Sequence, residues 1–251
     1  MPQTEWLQPE WPRPVTVKAH SSTRLGGVSQ APYTGFNLGD HVEDNAAHVQ
    51  ANREQLMTDL ALPGSPLWLQ QVHSRVIVEA NDWHAGVQAD GCIARAPGQV
   101  CLVMTADCLP VLLANQAGTV VAAVHAGWRG LCDGILEQAV TQMACSDEIT
   151  AWIGPAIGAG HFEVGDEVRS AFLQAQPSDS ITSAFKPSRP GHWLTDLIHI
   201  AKYRLYCAGV RNIFGGHWCT YTDEQRFYSY RREGQTGRMA SLIWLESKSN
   251  V

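Results

Sequence analysis

The centre of the 251-residue chain contains three short apolar segments, and they constrain the fold more than any other feature. They cover residues 100–104, 111–114 and 119–124. Each has the length of a strand and is bounded by turn residues, and the break at residues 115–118 is typical of a hairpin. Because their apolar character is continuous rather than alternating, we expect these strands to be buried on both faces. The sequence therefore predicts a sheet at the centre of a layered protein.

Helical periodicity appears on either side of these strands. One helix is predicted to follow Asp44, which we expect to be its N-cap. Two further helices are predicted over residues 131–143 and 194–208. Gly209 is expected to end the last of them in the left-handed conformation.

The C-terminal part is predicted to form two strands, over residues 226–231 and 239–245, around a glycine-rich turn at residues 233–237. Strands and helices are mixed without strict alternation. The expected fold class is therefore α/β (α+β), a compact layered sandwich with mixed β-sheets. No internal repeat or low-complexity linker divides the chain, so we expect one domain over residues 1–251.

The composition disfavours several classes of protein. Hydrophobic residues make up 45% of the chain and the net charge is −6, which suits a soluble globular protein. The 24 acidic residues outnumber the 18 basic ones, so we expect no nucleic-acid partner. No apolar run reaches the roughly 18 residues of a membrane span, and no signal peptide is evident, so we expect no membrane partner and a cytoplasmic location. The seven cysteines, with no C-x-x-C pair, are expected to be reduced thiols.

Polar side chains interrupt the apolar strands at three strand ends, where they supply His73, Cys108 and His125. Strand ends are where α/β proteins place ligands. Nitrogen and sulfur donors suit zinc and also copper, and three protein ligands with an open fourth position are typical of a catalytic zinc site. Two alternatives stay open. The three residues could be ordinary core residues, or Cys108 could be a thiolate nucleophile with a histidine as its base.

Several residues outside this trio are further candidates. Asp107 could orient a histidine or act as an acid, and it could equally be a turn residue. Arg129 lies at a predicted helix start, where it could hold phosphate or pair with Asp133 on the surface. Cys92 and Cys219 are weaker candidates as metal ligands, with burial as the simpler interpretation. The glycine-rich segments form neither a Walker loop nor a dinucleotide fingerprint, so no nucleotide cofactor is predicted.

Nine segments of the chain, spread from about residue 20 to about residue 245, resemble the sequence motifs of one known family and occur in the same order. They are STRLGGVS (22–29), NLG (37–39), QVH (71–73), ADG (89–91), TADCLP (105–110), HAGWRG (125–130), GPAIG (154–158), FEV (162–164) and YRR to TGR (230–238). The family is the multicopper polyphenol oxidase-like family, also called the laccase-domain or YfiH/PgeF-type family, which includes purine nucleoside phosphorylases. Residues 197–202 and 219–221 match it only in outline.

The resemblance implies a fold similar to the catalytic domain of a deamidating bacterial toxin and a zinc ion bound by His73, Cys108 and His125. It implies phosphorolysis of adenosine, inosine, guanosine and S-methyl-5′-thioadenosine, together with deamination of adenosine. It also implies an alternative, because a bacterial branch is linked to peptidoglycan editing. That alternative is an amidase that removes L-serine from UDP-MurNAc precursors, through zinc hydroxide or a Cys–His mechanism. The laccase label fits poorly, because the ten histidines are scattered and include no H-x-H pair.

The implied reactions assign roles to further residues. Arg24, Asn37 and Arg129 are predicted to bind the substrate, and Asp107 is predicted to be catalytic together with the three ligands. Glu163 is a weaker candidate for proton transfer. The expected partners are small molecules, a purine nucleoside and phosphate, with zinc, or alternatively copper, as the cofactor. The oligomeric state is left open.

Overall fold

The computed structural model describes residues 4–145 and 147–247. Its first strands are β1 (Trp6–Leu7), β2 (Val17–Ser22), β3 (Pro66–Leu67), β4 (Ile77–Glu79), β5 (Gly91–Ala94), β6 (Val100–Thr105), β7 (Leu109–Asn115) and β8 (Val121–Ala126). The later ones are β9 (Ile149–Ile153), β10 (Glu163–Gly165), β11 (Phe185–Pro187), β12 (His192–Thr195), β13 (Asn212–Gly215) and β14 (Met239–Leu245). The helices are α1 (Ala46–Asp59), α2 (Trp128–Asp133), α3 (Ile135–Met143), α4 (Asp166–Ala175), α5 (Asp179–Ser183), α6 (Leu197–Cys207) and α7 (Tyr230–Glu233), with a 3-10 turn at Ala80–Asp82.

The strands form three sheets. The five-stranded sheet has the order β1-β2-β14-β6-β3, the six-stranded sheet has the order β13-β9-β7-β8-β5-β4, and β10, β12 and β11 form a small third sheet. The pairs β3–β6, β4–β5 and β9–β13 are parallel, and the other pairs are antiparallel. The mixed sheets of the expected fold class are therefore confirmed.

Apolar side chains divide the fold into four layers. Cys101 and Ile243 of the five-stranded sheet pack against Leu112 of the six-stranded sheet, so the two sheets bury a common core. The outer face of the six-stranded sheet is covered by α2, α3, α4 and α6. The outer face of the five-stranded sheet is covered by α1, through Leu56, and by Phe36. The order of layers is helix, sheet, sheet and helices, as expected for a layered sandwich.

The three apolar segments at the centre of the sequence become β6, β7 and β8, and every residue in these strands is buried. β7 and β8 form the predicted hairpin, in which the Gly118 amide donates to the Asn115 carbonyl over 3.0 Å. Gly118 has a φ of 64°, a conformation that favours glycine. β8 continues to Ala126, so His125 lies in a strand and not in the turn after it.

Two predicted helices differ in the structure. The helix expected over residues 131–143 is interrupted at Gly134, whose φ of 93° separates α2 from α3. The helix expected from residue 194 begins at Leu197, because the Asp196 carboxylate caps it by accepting from the His199 amide over 2.8 Å. Gly209 has the left-handed conformation predicted for the end of this helix, with a φ of 98°.

Two local predictions are wrong. Asn45 is the N-cap of α1, because its side chain accepts from the Ala47 amide, whereas Asp44 binds Ser29 and Asn37. Residues 226–231 form turns and the start of α7, and not a strand. Their apolar side chains are buried in a small cluster beside β14, so their burial does not depend on strand pairing. Within residues 4–145 and 147–247, no helix combines the length and hydropathy required to cross a bilayer.

Candidate metal centre

A cavity of about 430 Å³ opens where β6 and β8 end and β7 begins. Its volume lies within the roughly 300–1,000 Å³ of small-molecule sites. The side chains around it are both apolar and charged. The lining residues are His41, Gln71, His73, Met104, Thr105, Ala106, Asp107, Cys108, His125, Ile157, Phe162, Tyr230, Arg231 and Arg238.

The three residues predicted as metal ligands meet in this cavity. One ligand atom each from His73, Cys108 and His125 lies within 4.8 Å of the others, and Cys108 Sγ is 3.8 Å from His73 Nε2. In the described part of the chain, this is the one cluster of three or more His, Cys, Asp or Glu side chains with such spacing. The pairing of β7 with β8 places Pro110 opposite His125, which brings the preceding Cys108 next to that histidine. His73 reaches the cluster from the loop between β3 and β4.

Asp90 connects two of these residues. It is fully buried beside β5, and its carboxylate accepts from His125 Nδ1 over 2.8 Å. The same carboxylate accepts from the backbone amides of residues 72, 73 and 74 and from the Ser74 hydroxyl. His125 is thereby oriented with its other ring nitrogen free for a ligand, as is usual for metal-binding histidines. We call His73, Cys108, His125 and Asp90 the floor of the cavity.

The loop that carries His73 has a strained backbone. His73 has a φ of 60°, which is uncommon for a residue other than glycine and costs on the order of 1–3 kcal/mol. The hydrogen bonds that the backbone amides of His73 and Ser74 donate to the buried Asp90 carboxylate offset this cost, because charge-assisted hydrogen bonds are stronger than neutral ones. Asp90 therefore fixes the backbone of His73, which lies in the long loop between β3 and β4.

A side chain at position 127 would overlap the His73 and Cys108 side chains, and Gly127 has none. A Cβ atom on this residue would lie 2.5 Å from His73 Cδ2 and 3.2 Å from Cys108 Sγ. The backbone φ of Gly127 is −63°, so the requirement for glycine here comes from the neighbouring ligands and not from the conformation.

The charges in the floor favour a thiolate beside an imidazolium in the metal-free protein. Burial raises the pKa of Cys108, but the charge of His125 and hydrogen bonds from His125 and His73 lower it to about 6. Burial likewise disfavours a charged His125, yet the Cys108 thiolate and the Asp90 carboxylate raise the pKa of His125 to about 9. The pKa of Asp90 is held below its usual range, because the hydrogen bonds from His125 and Ser74 outweigh the effect of burial.

The donor set fits a metal ion. Donors bound to one tetrahedral zinc lie about 3.3–3.6 Å apart, given bonds of about 2.0–2.1 Å to nitrogen and 2.3 Å to sulfur. The observed 3.8 Å between Cys108 Sγ and His73 Nε2 is close to that spacing. Three protein ligands would leave a bound metal with a fourth position for another ligand, and nitrogen with sulfur suits zinc as well as copper. The residues therefore form a possible metal site of the open type, while the identity of the metal stays a prediction.

The Asp107 carboxylate, which the sequence suggested could orient a histidine, binds other groups. Its carboxylate accepts from the Thr220 hydroxyl over 2.6 Å and from the Arg231 amide over 2.7 Å. The carboxylate that orients His125 is that of Asp90. Asp107 nevertheless lines the cavity next to Cys108, so its predicted catalytic role remains a prediction.

The three residues predicted to bind substrate lie outside the lining of the cavity. Arg24 pairs with Glu233 over 2.7 Å and stacks on the Tyr228 ring. Asn37 is fully buried, and its amide group binds the backbone of Gly39 and of Arg238. Arg129 is exposed and stacks on its neighbour, Trp128, with 4.4 Å from Cζ to the ring centroid. Substrate binding by these residues stays a prediction.

The weaker candidates also lie apart from the cluster. Cys92 is buried in the core between the two large sheets. Cys219 Sγ accepts from the Gly158 amide and lines a separate cavity. The Glu163 carboxylate binds Arg189 and Ser188, and these hydrogen bonds lower its pKa to about 2. A carboxyl group with that pKa is ionised at neutral pH and is a poor proton donor.

Four side chains at the mouth of the cavity had no assigned role in the sequence-based predictions. We call Phe162, Tyr230, Arg231 and Arg238 the rim. Phe162 comes from the segment before β10, Tyr230 and Arg231 come from α7, and Arg238 directly precedes β14, so the rim joins segments that are distant in the sequence. The motifs FEV, YRR and TGR contained these residues, and Asp90 lies in the ADG motif, but a motif gives no partner for a side chain.

The chain is similar to known proteins over nearly its whole length. Residues 18–246 match the family model described as multi-copper polyphenol oxidoreductase laccase. The chain is 51% identical over 241 residues to purine nucleoside phosphorylase YfiH of Escherichia coli K12, a match that covers 95% of this chain and 98% of the relative. It is 48% identical over 243 residues to a purine nucleoside phosphorylase of Pseudomonas aeruginosa, with 96% and 98% covered.

Solved structures show the same fold. A Neisseria meningitidis protein superimposes with a TM-score of 0.91 at 44% identity, which covers 96% of this chain and 99% of that one. YlmD from Geobacillus stearothermophilus superimposes with a TM-score of 0.90 at 30% identity, with 98% of each chain covered.

Proposed function

The chain belongs to the multi-copper polyphenol oxidoreductase laccase family, and on that premise we propose that it is a metal-dependent purine nucleoside phosphorylase. The observation that carries the proposal is the meeting of His73, Cys108 and His125 at the floor of a cavity with an aromatic and cationic rim. The proposed substrates are adenosine, inosine, guanosine and S-methyl-5′-thioadenosine. Deamination of adenosine is proposed as a second activity at the same floor.

We propose zinc as the metal, with copper as the alternative that the same donors would accept. A bound zinc ion supplies a Lewis acid and lowers the pKa of coordinated water to about 7. His73, Cys108 and His125 would hold it, and Asp90 would keep His125 in the tautomer that presents its Nε2 atom.

The cavity suits a flat, partly apolar molecule. Met104, Ile157 and Phe162 supply apolar surface, and Tyr230 is 61% exposed at the mouth. An exposed aromatic ring beside a cavity can stack on a purine base, which hides apolar surface from water on both sides. This arrangement would place the sugar of the nucleoside between the rim and the floor.

Phosphorolysis exchanges one bond at the sugar. A phosphate oxygen forms a bond to C1′ of the ribose while the bond from C1′ to the purine nitrogen breaks, and the proton of hydrogen phosphate passes to the purine. The products are ribose 1-phosphate and the free base. Cationic side chains would hold phosphate against C1′, and the fixed carboxylate of Asp107 lies in the same cavity to stabilise positive charge at C1′.

Deamination exchanges a different bond. Water adds at C6 of adenine and ammonia leaves, which gives inosine. The floor offers a metal site with an open position for this reaction, whereas proton transfer needs a group such as Asp107, the predicted catalytic carboxylate in the lining. We propose this activity as secondary because it uses none of the cations at the rim.

A second candidate function is the amidase that removes L-serine from UDP-MurNAc precursors. The geometry that favours it is the contact between Cys108 Sγ and His73 Nε2, at 3.8 Å, in an open cavity. A thiolate next to a histidine can attack an amide carbonyl, with water completing the hydrolysis to a carboxylate and free serine.

Purified protein tests the two functions side by side. Wild type is incubated with adenosine or inosine, with and without phosphate, and separately with UDP-MurNAc carrying L-serine. We expect free base and ribose 1-phosphate to form only when phosphate is present. Serine release without any nucleoside turnover would overturn the proposal in favour of the amidase.

Two cysteine variants complete this experiment. Cys108→Ala should lose both bound metal and phosphorolysis. Cys207→Ala, an exposed cysteine at the end of α6, should retain both. Full phosphorolysis by Cys108→Ala would contradict the proposed site.

A further inference from the structure

Two cationic side chains, Arg231 and Arg238, line the cavity. Among the residues that the structure describes, neither Arg231 nor Arg238 forms an ion pair with Asp or Glu. Other arginines near the site are neutralised, as Arg24 is by Glu233 and Arg189 by Glu163. These two guanidinium groups without ion pairs lie beside one cavity, in a chain with a net charge of −6. Such local positive charge favours the binding of an anion.

Arg238 is held in place by its own neighbourhood. Its amide donates to Asn37 Oδ1 over 2.9 Å, and its Nη1 donates to the carbonyls of Thr236 and Gly237. Gly39 makes room for the side chain, because a Cβ there would lie 2.8 Å from Arg238 Cγ. Within the described residues, Nε and Nη2 have no hydrogen-bond acceptor, so this edge of the guanidinium is free to bind a ligand.

Arg231 is oriented by a different segment of the chain, the one around β10. Its Nη1 donates to the Glu163 carbonyl over 2.8 Å, and its Cζ lies 5.1 Å from the centroid of the Phe162 ring. Among the described residues, the nearby Asp107 carboxylate forms no ion pair with this guanidinium and instead accepts from the Arg231 backbone amide and from Thr220. Both arginines therefore have fixed positions and keep free donors, which is what binding of an anion requires.

Arg238 also connects two cavities. A second groove of about 470 Å³ lies outside the first, and His41, Tyr230 and Arg238 line both. An anion bound by Arg238 would lie where the inner cavity meets the outer groove. This position has room for a free phosphate and for a phosphoryl group that is attached to a longer molecule.

We propose that Arg231 and Arg238 form a binding site for a phosphoryl dianion at the mouth of the cavity. Two guanidinium forks match the oxygens of such a group better than point charges would. The inference rests on the proposed function in one respect, because phosphorolysis would make free phosphate the bound species. A phosphorylated substrate such as a nucleoside diphosphate derivative would use the same two side chains.

Direct binding measurements test the site without reliance on catalysis. Inorganic phosphate and uridine diphosphate are titrated separately into wild type, Arg238→Gln and Arg231→Gln by calorimetry. Each substitution should weaken binding by about tenfold to a hundredfold, the effect of removing a hydrogen-bonded charge. Arg211→Gln is the matched control, because Arg211 stacks on Tyr206 at 3.9 Å and lies outside both cavities. It should bind like wild type.

The two ligands distinguish the source of the phosphoryl group. Stronger binding of inorganic phosphate identifies the phosphorolysis substrate, and stronger binding of uridine diphosphate identifies an attached group that extends into the outer groove. Arg238→Lys keeps the charge but removes the fork, so its affinity should lie between those of wild type and Arg238→Gln. Thermal melting of each variant checks that the fold is intact.

Kinetics separate failure of this inference from failure of the proposed function. Phosphorolysis with an unchanged KM for phosphate in both arginine variants would overturn the phosphoryl site and leave the function standing. Phosphate binding that is lost in both variants, without nucleoside turnover in wild type, would support the site and overturn the phosphorylase. Equal binding by wild type and both variants would overturn the site outright.

Discussion

The floor and the rim of the cavity are built in different ways. At the floor, one buried carboxylate, Asp90, binds both His125 and the loop of His73, and these residues lie on or beside neighbouring strands. At the rim, Arg231 and Arg238 are positioned by separate contacts with backbone carbonyls and with Asn37. The floor therefore depends on a single connected network, whereas the rim depends on several independent ones.

This difference predicts how the two regions respond to substitution. Loss of one member of a connected network leaves the other buried polar groups without hydrogen-bond partners, so its effect on metal affinity is large. Loss of one rim contact changes affinity for one part of a ligand and leaves the remaining contacts intact. The following predictions are ordered by the size of the expected effect.

Asp90→Asn should have the largest effect. The amide group of Asn cannot accept at both oxygens from His125 and from the amides of residues 72–74, so one ligand loop loses its anchor. We expect metal affinity to fall by about tenfold to a hundredfold, the usual effect of losing a partner of metal-bound histidine. Competition with a chelator measures it.

Ser74→Ala is the graded control for that variant. It removes the Ser74 hydroxyl bond to Asp90 and leaves the carboxylate and His125 in place. Its metal affinity should fall by less than that of Asp90→Asn. An Asp90→Asn protein with wild-type metal affinity would show that the floor is not one network.

Labelling of Cys108 in the metal-stripped protein should have a shifted pH dependence. With a pKa of about 6, the thiolate forms as pH rises through 6, so alkylation should be half-maximal there and level off above it. At pH 7 this corresponds to about thirtyfold more thiolate than an ordinary cysteine with a pKa of about 8.5 contains. Mass spectrometry of iodoacetamide-treated peptides measures the rate.

Cys145 serves as the internal comparison. Burial and the charge of Asp147 raise the pKa of this thiol, so its labelling should increase only at higher pH than that of Cys108. Zinc should protect Cys108 and leave Cys145 unaffected. Identical pH profiles for the two cysteines would contradict the charge arrangement of the floor.

Gly127→Ala should weaken metal binding by about tenfold, a smaller effect than that of Asp90→Asn, because the His73 side chain can turn away from the methyl group while its backbone stays bound to Asp90. Gly160→Ala is the matched control, since no atom of the described residues lies within 4 Å of a Cβ at that position. Metal titration of both variants tests the prediction. Equal affinities for the two would show that Gly127 does not limit the space for the ligands.

The sequence predicted the central sheet, and it singled out three side chains that the fold brings together in one cavity. Continuous apolar segments define β6, β7 and β8, and the polar residues at the ends of such strands marked where ligands are usually placed. The break at Gly134 could not be predicted, because the residues on both sides of it keep the same buried face.

The contacts between side chains within the site could also not be predicted from the sequence. Asp90 was visible only as part of a motif, since its role arises from contacts with residues 72–74 and 125 that the fold brings together. The rim was missed for the same reason. Arg231 and Arg238 acquire their positions from Glu163 and Asn37, which lie far away in the chain.

Arg129→Gln should have the smallest effect. The role predicted from the sequence requires a higher KM for phosphate, whereas its exposed position outside the lining of the cavity favours a change of less than about twofold, typical of a surface substitution. We expect the latter. Phosphate-dependent kinetics decide between them, with Arg238→Gln assayed in parallel as the variant expected to raise KM.

X-ray absorption at the zinc edge of the purified protein tests whether His73, Cys108 and His125 bind one metal ion together. We expect about one zinc per chain, with one sulfur ligand at about 2.3 Å and nitrogen ligands at about 2.0–2.1 Å. Cys108→Ala, which should lose the metal, should give no zinc signal after the same preparation. A zinc spectrum without sulfur, or a protein that remains metal-free in excess zinc, would contradict metal binding by these three residues.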